Sequence, residues 1–323
     1  MSKVIGIDIS KSSFDISFRV SSKEFVYDKF ANNTKGFSAF YDIIGAKDHC
    51  VMEATGPYYL QLATFLHSKG IKVSVVNPIQ IKHFVRMRMV KAKTDRKDAM
   101  MIALYAQSEC PKLWHPDEKH VNTLLQSNTA IEGLQKQRTM LKNQLEAFST
   151  NPDFDNLVVK EIKSLIKIID NKINKLEDHM LNVVKHHYKE TFNSLQSIPG
   201  IGPKTSLMLI ALTNNFNKFD DVKKLSAYVG LAPRIFESGS SVRGKGHITK
   251  MGNRHLRKLL YLCSWTAKTC NAQCAEMYFR LKQKGKPERV IKIAIANKLL
   301  RQAYAVGSNL STYDKNYQNK LAF

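Results

Sequence analysis

Short stretches rich in β-branched and aromatic residues follow one another in the first third of the chain, a pattern that is typical of β-strands. Three such stretches follow one another closely enough to predict an antiparallel meander: VIGIDIS (4–10), FDISFRV (14–20) and KEFVYDKF (23–30). Helical and strand-like segments then follow in turn, with Asn/Thr or proline at helix starts and glycine at a helix end. They predict a helix over 33–44, a strand over 49–54, a helix over 57–69, a strand over 71–78 and a helical stretch, PIQIKHFVRMRM.

The order of these elements indicates the fold. Three strands and a helix, followed by strand, helix, strand and helix, is the order of a ribonuclease-H-like fold. We therefore predict an α/β domain over residues 1–112 and helical domains over 113–190 and 191–323. The predicted fold class is thus α/β plus all-α.

The middle region predicts two long helices, over 117–149 and 157–187, which are separated by STNPD (149–153). In the second helix, apolar residues recur at alternating spacings of four and three, which is the spacing of a heptad seam. The seam consists of Ile162, Ile166, Ile169, Ile173, Leu176, Met180 and Val183. We predict a helical coiled-coil hairpin that either packs on itself or pairs with another subunit. Because the seam could pair subunits, we also predict that the protein is a dimer or tetramer.

The last third is helical around an island rich in glycine, serine and basic residues. Before the island, IPGIGPKTS (198–206) predicts a helix–hairpin–helix element in which Gly200 and Gly202 allow a tight turn. Backbone N–H groups of that turn can face a phosphate, and Lys204 adds charge; a plain helix–helix turn is the alternative. Nucleic-acid contacts are predicted in the island, with a solvated basic loop as the alternative: Arg234, Arg243, Lys245, Lys250 and Arg254.

The net charge of the chain indicates the kind of partner that it binds. The chain carries 50 Lys and Arg against 27 Asp and Glu, and the resulting +23 favours a polyanionic partner. Residues 191–323 hold +16 of this excess, so they are the expected surface for nucleic-acid backbones. No apolar run approaches the roughly 20 residues that span a bilayer, and five scattered cysteines fit a reducing cytoplasm. We expect no membrane partner.

Four acidic residues in the first third are candidates for chemistry. Asp8 lies inside an apolar strand, Glu53 ends another, and Asp95 and Asp98 share one face at the start of a helix. A buried carboxylate is costly unless it is paired or binds a metal, and carboxylate oxygens are ligands for magnesium. Two such ions about 4 Å apart would clamp both oxygens of a phosphoryl transfer.

Each acid also has an ordinary structural explanation. Asp8 could bond to the serines at positions 10, 12 and 13, and Glu53 could be an exposed strand end. Thr94 or Asp95 could be an N-cap, with Asp98 favoured by the helix dipole. The combination is more specific than any single acid.

Three motifs carry a resemblance to a known family: GIDIS, VMEATGPY and above all KTDRKDAMMIALYA. They resemble the DEDD insertion-sequence transposases related to the Piv DNA invertase, which are bridge-RNA-guided recombinases. The resemblance implies a RuvC-like N-terminal domain whose metal-binding quartet is Asp8, Glu53, Asp95 and Asp98, with Mg²⁺ as the cofactor. It also implies a C-terminal transposase domain with a nucleophilic serine before a glycine. That position is Ser238, followed by Gly239, and Ser241 is the second candidate.

The resemblance therefore implies a cytoplasmic, bacterial DNA transposase, associated with the nucleoid during transposition, with donor and target DNA and a guide RNA as partners. Its serine would attack a DNA phosphodiester and form a transient phosphoserine link. The alternatives are a RuvC-like structure-selective nuclease that uses water and a non-catalytic nucleic-acid-binding scaffold. An actin-like ATPase needs a second glycine-rich phosphate loop, and the sequence contains none.

Overall fold

The structure is a computed structural model that describes residues 2–21, 24–90, 94–234, 237–238, 242–243, 247–249 and 251–316. At positions 237, 238, 242, 243 and 247 it describes the backbone alone. The chain forms two compact units, Met1–Pro116 and Asp117–Phe323, called unit 1 and unit 2 below. The three-domain division at residues 112 and 190 remains a prediction.

Unit 1 is built on a five-stranded mixed sheet with the strand order β3-β2-β1-β4-β5. Its strands are β1 (Val4–Ile9), β2 (Ser13–Arg19), β3 (Phe25–Ala31), β4 (His49–Glu53) and β5 (Lys72–Val76). The first three strands form an antiparallel meander, while β4 and β5 run parallel to β1. The predicted antiparallel meander is confirmed, and so is the α/β character of this region.

Helices cover both faces of the sheet. They are α1 (Thr34–Ile43), α2 (Tyr59–Ser68), α3 (Pro78–Met87) and α4 (Asp95–Glu109). One face buries Ile7 and Phe14 with α1 and α2, in an apolar core that includes Phe40. The opposite face buries Val51 against α3 and α4, in a core that includes Ile102. The apolar strands are thus covered on both sides, which explains why they read as nearly continuous apolar runs.

Gly6 of β1 lets α4 approach the sheet unusually closely. A Cβ atom at Gly6 would lie 2.2 Å from the backbone nitrogen of Ala103 and 2.2 Å from the backbone oxygen of Ala99. Any side chain here would therefore push α4 away from the sheet. Because Asp8 is two residues further along β1, it lies on the same face as Gly6 and is also oriented towards α4.

Unit 2 begins with a hairpin of two long helices, α5 (Lys119–Ser149) and α6 (Asn156–His187). The apolar seam predicted along the second helix is the face of α6 that packs into the core of unit 2: Ile162, Ile173 and Met180 are buried. Arg138 of α5 pairs with Asp170 of α6, with 2.6 Å between Nη1 and Oδ1. The seam therefore packs within the chain, as one of its two interpretations predicted.

The rest of unit 2 is helical, with short strand pairs. Its helices are α7 (Lys189–Gln196), α8 (Pro203–Thr213), α9 (Val222–Val229), α10 (Arg254–Cys270), α11 (Ala272–Gln283) and α12 (Glu288–Ser308). Two antiparallel pairs join β6 (Pro233–Arg234) to β9 (His247–Ile248) and β7 (Glu237–Ser238) to β8 (Val242–Arg243). Throughout the described ranges, every helix is too short or too polar to cross a lipid bilayer.

Candidate active site

A row of charged residues crosses four strands of unit 1. Asp15 of β2 is directly opposite Asp8 of β1, and Lys29 of β3 is directly opposite Asp15. On the other side of β1, the parallel partner strand β4 pairs Met52 with Ile7, so Glu53 lies beside Asp8. Because side chains alternate along a strand, all four residues belong to the sheet face that α4 covers. The sheet thus brings Asp8 and Glu53 together, as the sequence predicted.

The first turn of α4 supplies the other two acids. Thr94 is the N-cap of this helix, because its Oγ1 accepts a hydrogen bond from the backbone N–H of Lys97 at 3.3 Å. Thr94 and not Asp95 is therefore the capping residue. Asp95 is exposed, Asp98 is half-buried, and both lie in the first turn. A negative charge there is favoured by the helix dipole, and neither carboxylate is the capping group of the helix.

The electrostatics of Asp8 show that these acids act on one another. Burial and repulsion by Asp98, Glu53, Asp95 and Asp15 together raise the pKa of Asp8 from 3.8 to about 6. Burial is the largest cause, and Asp98 is the strongest of the charged neighbours. Burial and neighbouring negative charges favour the protonated form of such a carboxyl group, and a bound cation would favour the ionised form.

The explanation of Asp8 by neighbouring serines is not supported by the hydrogen bonds of the turn. Ser10 Oγ donates to the backbone oxygen of Ser13 at 2.8 Å, and the backbone N–H of Ser13 donates to Ser10 Oγ at 3.2 Å. Over the residues that the structure describes, no serine of this turn bonds to Asp8. Glu53 does have a local partner, since Thr55 Oγ1 donates to its Oε1 at 2.6 Å.

Sequence reasoning missed three residues of this site. Asp15 is a fifth carboxylate with a side chain only 5% exposed, and it accepts a hydrogen bond from the Tyr27 hydroxyl. Lys29 Nζ lies 3.5 Å from Asp15 Oδ2 and 4.0 Å from Asp95 Oδ2. The hydrogen bond to Asp15 is the main reason that the pKa of Tyr27 is raised to about 12. The signal was present in FDISFRV, where Asp15 interrupts an apolar strand as Asp8 does.

The donor set fits a divalent metal ion chemically. Asp8, Glu53, Asp95 and Asp98 supply four carboxylates, and burial of Asp8 together with the negative charge of the other three raises the pKa of Asp8. Mg²⁺ prefers such oxygen donors and retains water in its shell. Within the described ranges, however, no three Asp, Glu, His or Cys side chains are arranged closely enough to hold one ion. An ion held by these residues would require the carboxylates to rotate towards one another.

The first serine candidate lies in the strand pair of β7 and β8. Ser238 is in β7, where its backbone pairs with Val242. Residues 239–241 connect the two strands, so the second candidate, Ser241, lies outside the described residues, as do Lys245 and Lys250. The backbone of Arg243 pairs with Glu237. The roles predicted for these five residues remain predictions.

The glycines of the predicted helix–hairpin–helix element lie in a real turn between α7 and α8. Gly200 adopts φ 97°, and a Cβ atom there would lie 2.6 Å from the Cβ of Ala267 in α10. Gly202 is the N-cap of α8, and a Cβ there would meet open space. Lys204 is paired with Glu177 of α6. The first glycine is thus explained by packing, and a phosphate contact by Lys204 would compete with an existing ion pair.

Two predicted basic contacts are exposed in unit 2. Arg234 lies in β6, and Arg254 is the first residue of α10. The adjacent His255 is oriented inwards: its Nδ1 lies 2.9 Å from Glu132 Oε1 of α5, and burial lowers its pKa. Arg257 is likewise internal, since its Nη1 donates to the backbone oxygen of Val229 at 2.8 Å. Arg234 and Arg254 are thus exposed, whereas His255 and Arg257 make contacts within unit 2.

The amino-acid sequence is similar to those of known transposases and gene-inverting proteins along nearly its whole length. A family described as Transposase (DEDD_Tnp_IS110) matches residues 5–149, and one described as Transposase IS116/IS110/IS902 family matches residues 193–280. A pilin gene-inverting protein of Moraxella lacunata is 32% identical over 326 residues, which cover 98% of this chain and 99% of that protein. Its counterpart from Moraxella bovis gives the same values. A transposase for insertion sequence element IS1111A of Coxiella burnetii is 27% identical over 80% of this chain and 76% of that protein.

Proposed function

Because the chain belongs to the IS110 family of DEDD transposases, and is therefore a DNA recombinase, we propose that it cuts and exchanges strands with two sets of residues. A magnesium-dependent carboxylate centre comprises Asp8, Glu53, Asp95 and Asp98 of unit 1. A serine nucleophile, Ser238 or Ser241, comes from unit 2. The observation that carries the proposal is the clustering of these carboxylates: Asp8 and Glu53 lie side by side on paired strands, and the acids in the first turn of α4 are close enough to raise the pKa of Asp8.

The fold of unit 1 supports a RuvC-like assignment of this centre. The order β3-β2-β1-β4-β5, with an antiparallel meander and two parallel strands, is the topology expected from the ribonuclease-H-like order of elements. Asp8 and Glu53 lie near the carboxyl ends of two neighbouring parallel strands, which is where sites form in open α/β sheets. Asp95 and Asp98 reach the same edge because Gly6 admits α4 close to β1.

The proposed chemistry assigns a role to each set of residues. When bound, magnesium would supply charge stabilisation for the phosphoryl oxygens. Asp8 and Glu53 would hold it from the sheet, while Asp95 and Asp98 would hold it from α4. The serine hydroxyl forms a bond to a DNA phosphorus and the bond to one DNA oxygen breaks, which gives a phosphoserine link and a free strand hydroxyl. The hydroxyl of a second strand then bonds to the same phosphorus and the bond from phosphorus to serine breaks, which joins the second strand and releases the serine.

Nucleic-acid partners are proposed from the charge distribution. Residues 191–323 carry a net +16, and their exposed cations include Arg234 and Arg254. We assign to this region donor and target DNA and a guide RNA, with binding that weakens steeply as salt rises. Sequencing the nucleic acid that copurifies with the chain tests the guide: a discrete short RNA encoded beside the gene supports it, and random cellular RNA contradicts it.

A dimer or tetramer is proposed from the hairpin. Once the seam of α6 is buried against α5, a second apolar stripe remains exposed on α6: Leu157, Val158, Leu165 and Ile168. Burying this stripe against another copy would remove it from water. Leu165→Asp with Ile168→Asp should reduce the mass in solution to that of a monomer while the helical content is retained. A monomeric wild-type protein, with and without nucleic acid, would contradict the proposal.

Activity of matched variants separates this function from its alternatives. We expect Asp8→Asn and Glu53→Gln to abolish metal-dependent strand exchange, whereas Asp42→Asn on the exposed face of α1 retains it. Retained exchange in the first two variants would support the scaffold reading. If substitution of both candidate serines by alanine leaves strand cleavage unchanged, the chain is instead a nuclease that uses water.

A further inference from the structure

The turn that ends α3 has an unusual residue at its tightest point. Met89 N–H donates to the oxygen of Arg86 at 3.0 Å, and Val90 N–H donates to the oxygen of Val85 at 3.4 Å. This pair of bonds is the Schellman arrangement that closes many helices, and its left-handed position is usually occupied by glycine. Here Met89 occupies it, with φ 52°. A side chain at such a position strains the backbone.

Packing within the unit does not explain the methionine. The Met89 residue is 84% exposed and Met87 is 65% exposed, so neither contributes to the core. Val90, by contrast, packs against the core that contains Phe84 and Ile102, and it anchors the turn. The turn therefore holds two large apolar side chains in water at the expense of backbone strain, and such strain concentrates at functional sites.

Charge around the turn indicates what contacts it. Residues 78–93 include five basic residues and no acidic residue. Lys82, Arg86 and Arg88 are exposed, and none of them takes part in an ion pair within the described part of the chain. The Arg88 guanidinium lies 5.2 Å from the centre of the Phe84 ring, which restricts its position. Unpaired cations beside exposed methionines are complementary to a phosphate backbone and base edges.

The turn is also near the carboxylates. Helix α3 begins directly after β5, whose last residue, Val76, pairs with Glu53. Ten helical residues span about 15 Å. The turn therefore lies roughly the length of one short helix from the carboxyl ends of the strands that hold Asp8 and Glu53. Because 15 Å is less than one helical repeat of duplex DNA, about 34 Å, DNA bound at the carboxylates would be long enough to reach this turn.

We propose that residues 86–89 form a DNA-binding turn in which Arg86 and Arg88 contact phosphates and Met87 and Met89 contact partly unstacked bases beside the cleavage position. Apolar side chains, methionine among them, are inserted between base steps by proteins that kink duplex DNA. This inference rests on the proposed function, because it takes duplex DNA as the substrate of the carboxylate centre.

Substitutions at Met89 test the role of the side chain without loss of folding. Met89→Gly relieves the left-handed strain, so we expect Tm to rise by about 2–4 °C. Met89→Ala removes the same apolar group and keeps the strain, so its Tm should not rise. Both variants should reduce the fluorescence increase of 2-aminopurine in a duplex of about 40 base pairs taken from the end of the DNA element that encodes the chain. Met140→Ala, at an exposed methionine of α5, should leave it unchanged.

Neutralising the arginines tests the phosphate contacts. Affinity falls as salt rises, and each phosphate contact contributes about −0.9 to the slope of log affinity against log salt. For the same duplex, Arg86→Gln with Arg88→Gln should therefore make this slope shallower by about 2. Lys47→Gln, at an exposed turn of unit 1, should leave the slope unchanged. Unchanged slope and unchanged 2-aminopurine fluorescence in the respective variants would overturn the proposal.

These results separate the inference from the proposed function. If the wild-type chain binds no DNA or exchanges no strands, the function itself fails. If the wild-type chain binds and exchanges DNA but the Met89 and Arg86/Arg88 variants behave like it, the turn alone is refuted. Loss of self-association instead of loss of DNA contact in the methionine variants would assign the turn to a second copy and also refute it.

Discussion

Asp15 lies directly across the β1–β2 pair from Asp8, and its carboxylate is held by Lys29 at 3.5 Å. Lys29 also lies 4.0 Å from Asp95 at the start of α4. One lysine therefore connects the edge strand β3, the buried carboxylate of β2 and the helix that carries two of the proposed metal ligands. An ion pair of Lys29 and Asp15 thus lies beside the proposed catalytic carboxylates.

We predict that Asp8→Asn stabilises the metal-free protein at neutral pH. The folded state raises the pKa of Asp8 from 3.8 to about 6, so ionised Asp8 opposes folding above about pH 6. This cost disappears below about pH 4, where the group is protonated in both states. The shift corresponds to roughly 3 kcal/mol, which solvent screening at this partly exposed group reduces to about 1 kcal/mol.

Thermal unfolding in a metal chelator measures this effect. The gain for Asp8→Asn should shrink as the pH falls from 7 towards about 4, and Asp42→Asn should show no comparable gain. Added magnesium should reverse the order, because it stabilises the wild-type protein alone. Equal stability of Asp8→Asn and wild type at neutral pH without metal would refute the raised pKa of Asp8.

We predict that Lys29→Met destabilises unit 1. Asp15 is nearly buried, and without Lys29 it retains only the Tyr27 hydroxyl among the polar partners described here. A buried charge that loses its counter-ion is costly, but Lys29 is half-exposed, so we expect a loss of about 1–2 kcal/mol. Chemical denaturation measures it.

The control for this prediction is Lys35→Met, at an exposed lysine of α1, which should change stability by less than about 0.5 kcal/mol. Combining Lys29→Met with Asp15→Asn should cost less than the sum of the single changes, because the two residues interact. Strict additivity would mean that the ion pair contributes nothing to stability.

We predict that Gly6→Ala displaces α4 and impairs both stability and strand exchange. Its Cβ would lie 2.2 Å from backbone atoms of Ala99 and Ala103, which cannot rotate away, so we expect a loss of about 2–3 kcal/mol. Exchange activity should fall further than stability explains, because α4 carries Asp95 and Asp98. Gly45→Ala is the control, since its Cβ would make an ordinary 3.6 Å contact with the Asp48 side chain. A Gly6→Ala protein of full stability and activity contradicts the close packing.

The sequence predicted much of unit 1, but strand pairing determined the remainder of the site. Periodicity and caps located the strands and the helices of the first third, and Asp8 stood out because it interrupts an apolar strand. Asp15 interrupts its own strand in the same way, yet only the register of β1 against β2 shows that the two carboxylates are opposite each other. Likewise, a glycine in a strand can serve several purposes, and only the approach of Ala103 shows why position 6 requires one.

Interactions between distant residues also explain where sequence reasoning was incomplete in unit 2. The spacing of Gly200 and Gly202 correctly indicated a turn, but Gly200 is required by packing on Ala267. Lys204 looked like an available cation in IPGIGPKTS, whereas it is paired with Glu177, 27 residues earlier in the chain. Local patterns identify the type of element, and they do not identify partners that are far apart in the sequence.

The central claim, that carboxylates of unit 1 and a serine of unit 2 act on one DNA phosphodiester, is tested most directly by trapping the covalent intermediate. Cells that carry the DNA element encoding this chain are lysed in detergent, and protein that remains covalently attached to DNA is quantified and mapped by peptide mass. We predict an adduct at Ser238, with Ser241 as the second candidate, that is lost in Asp8→Asn and in the variant lacking both serines but retained in Asp42→Asn. Strand exchange with no adduct at any serine, or an adduct of normal yield in Asp8→Asn, would contradict the claim.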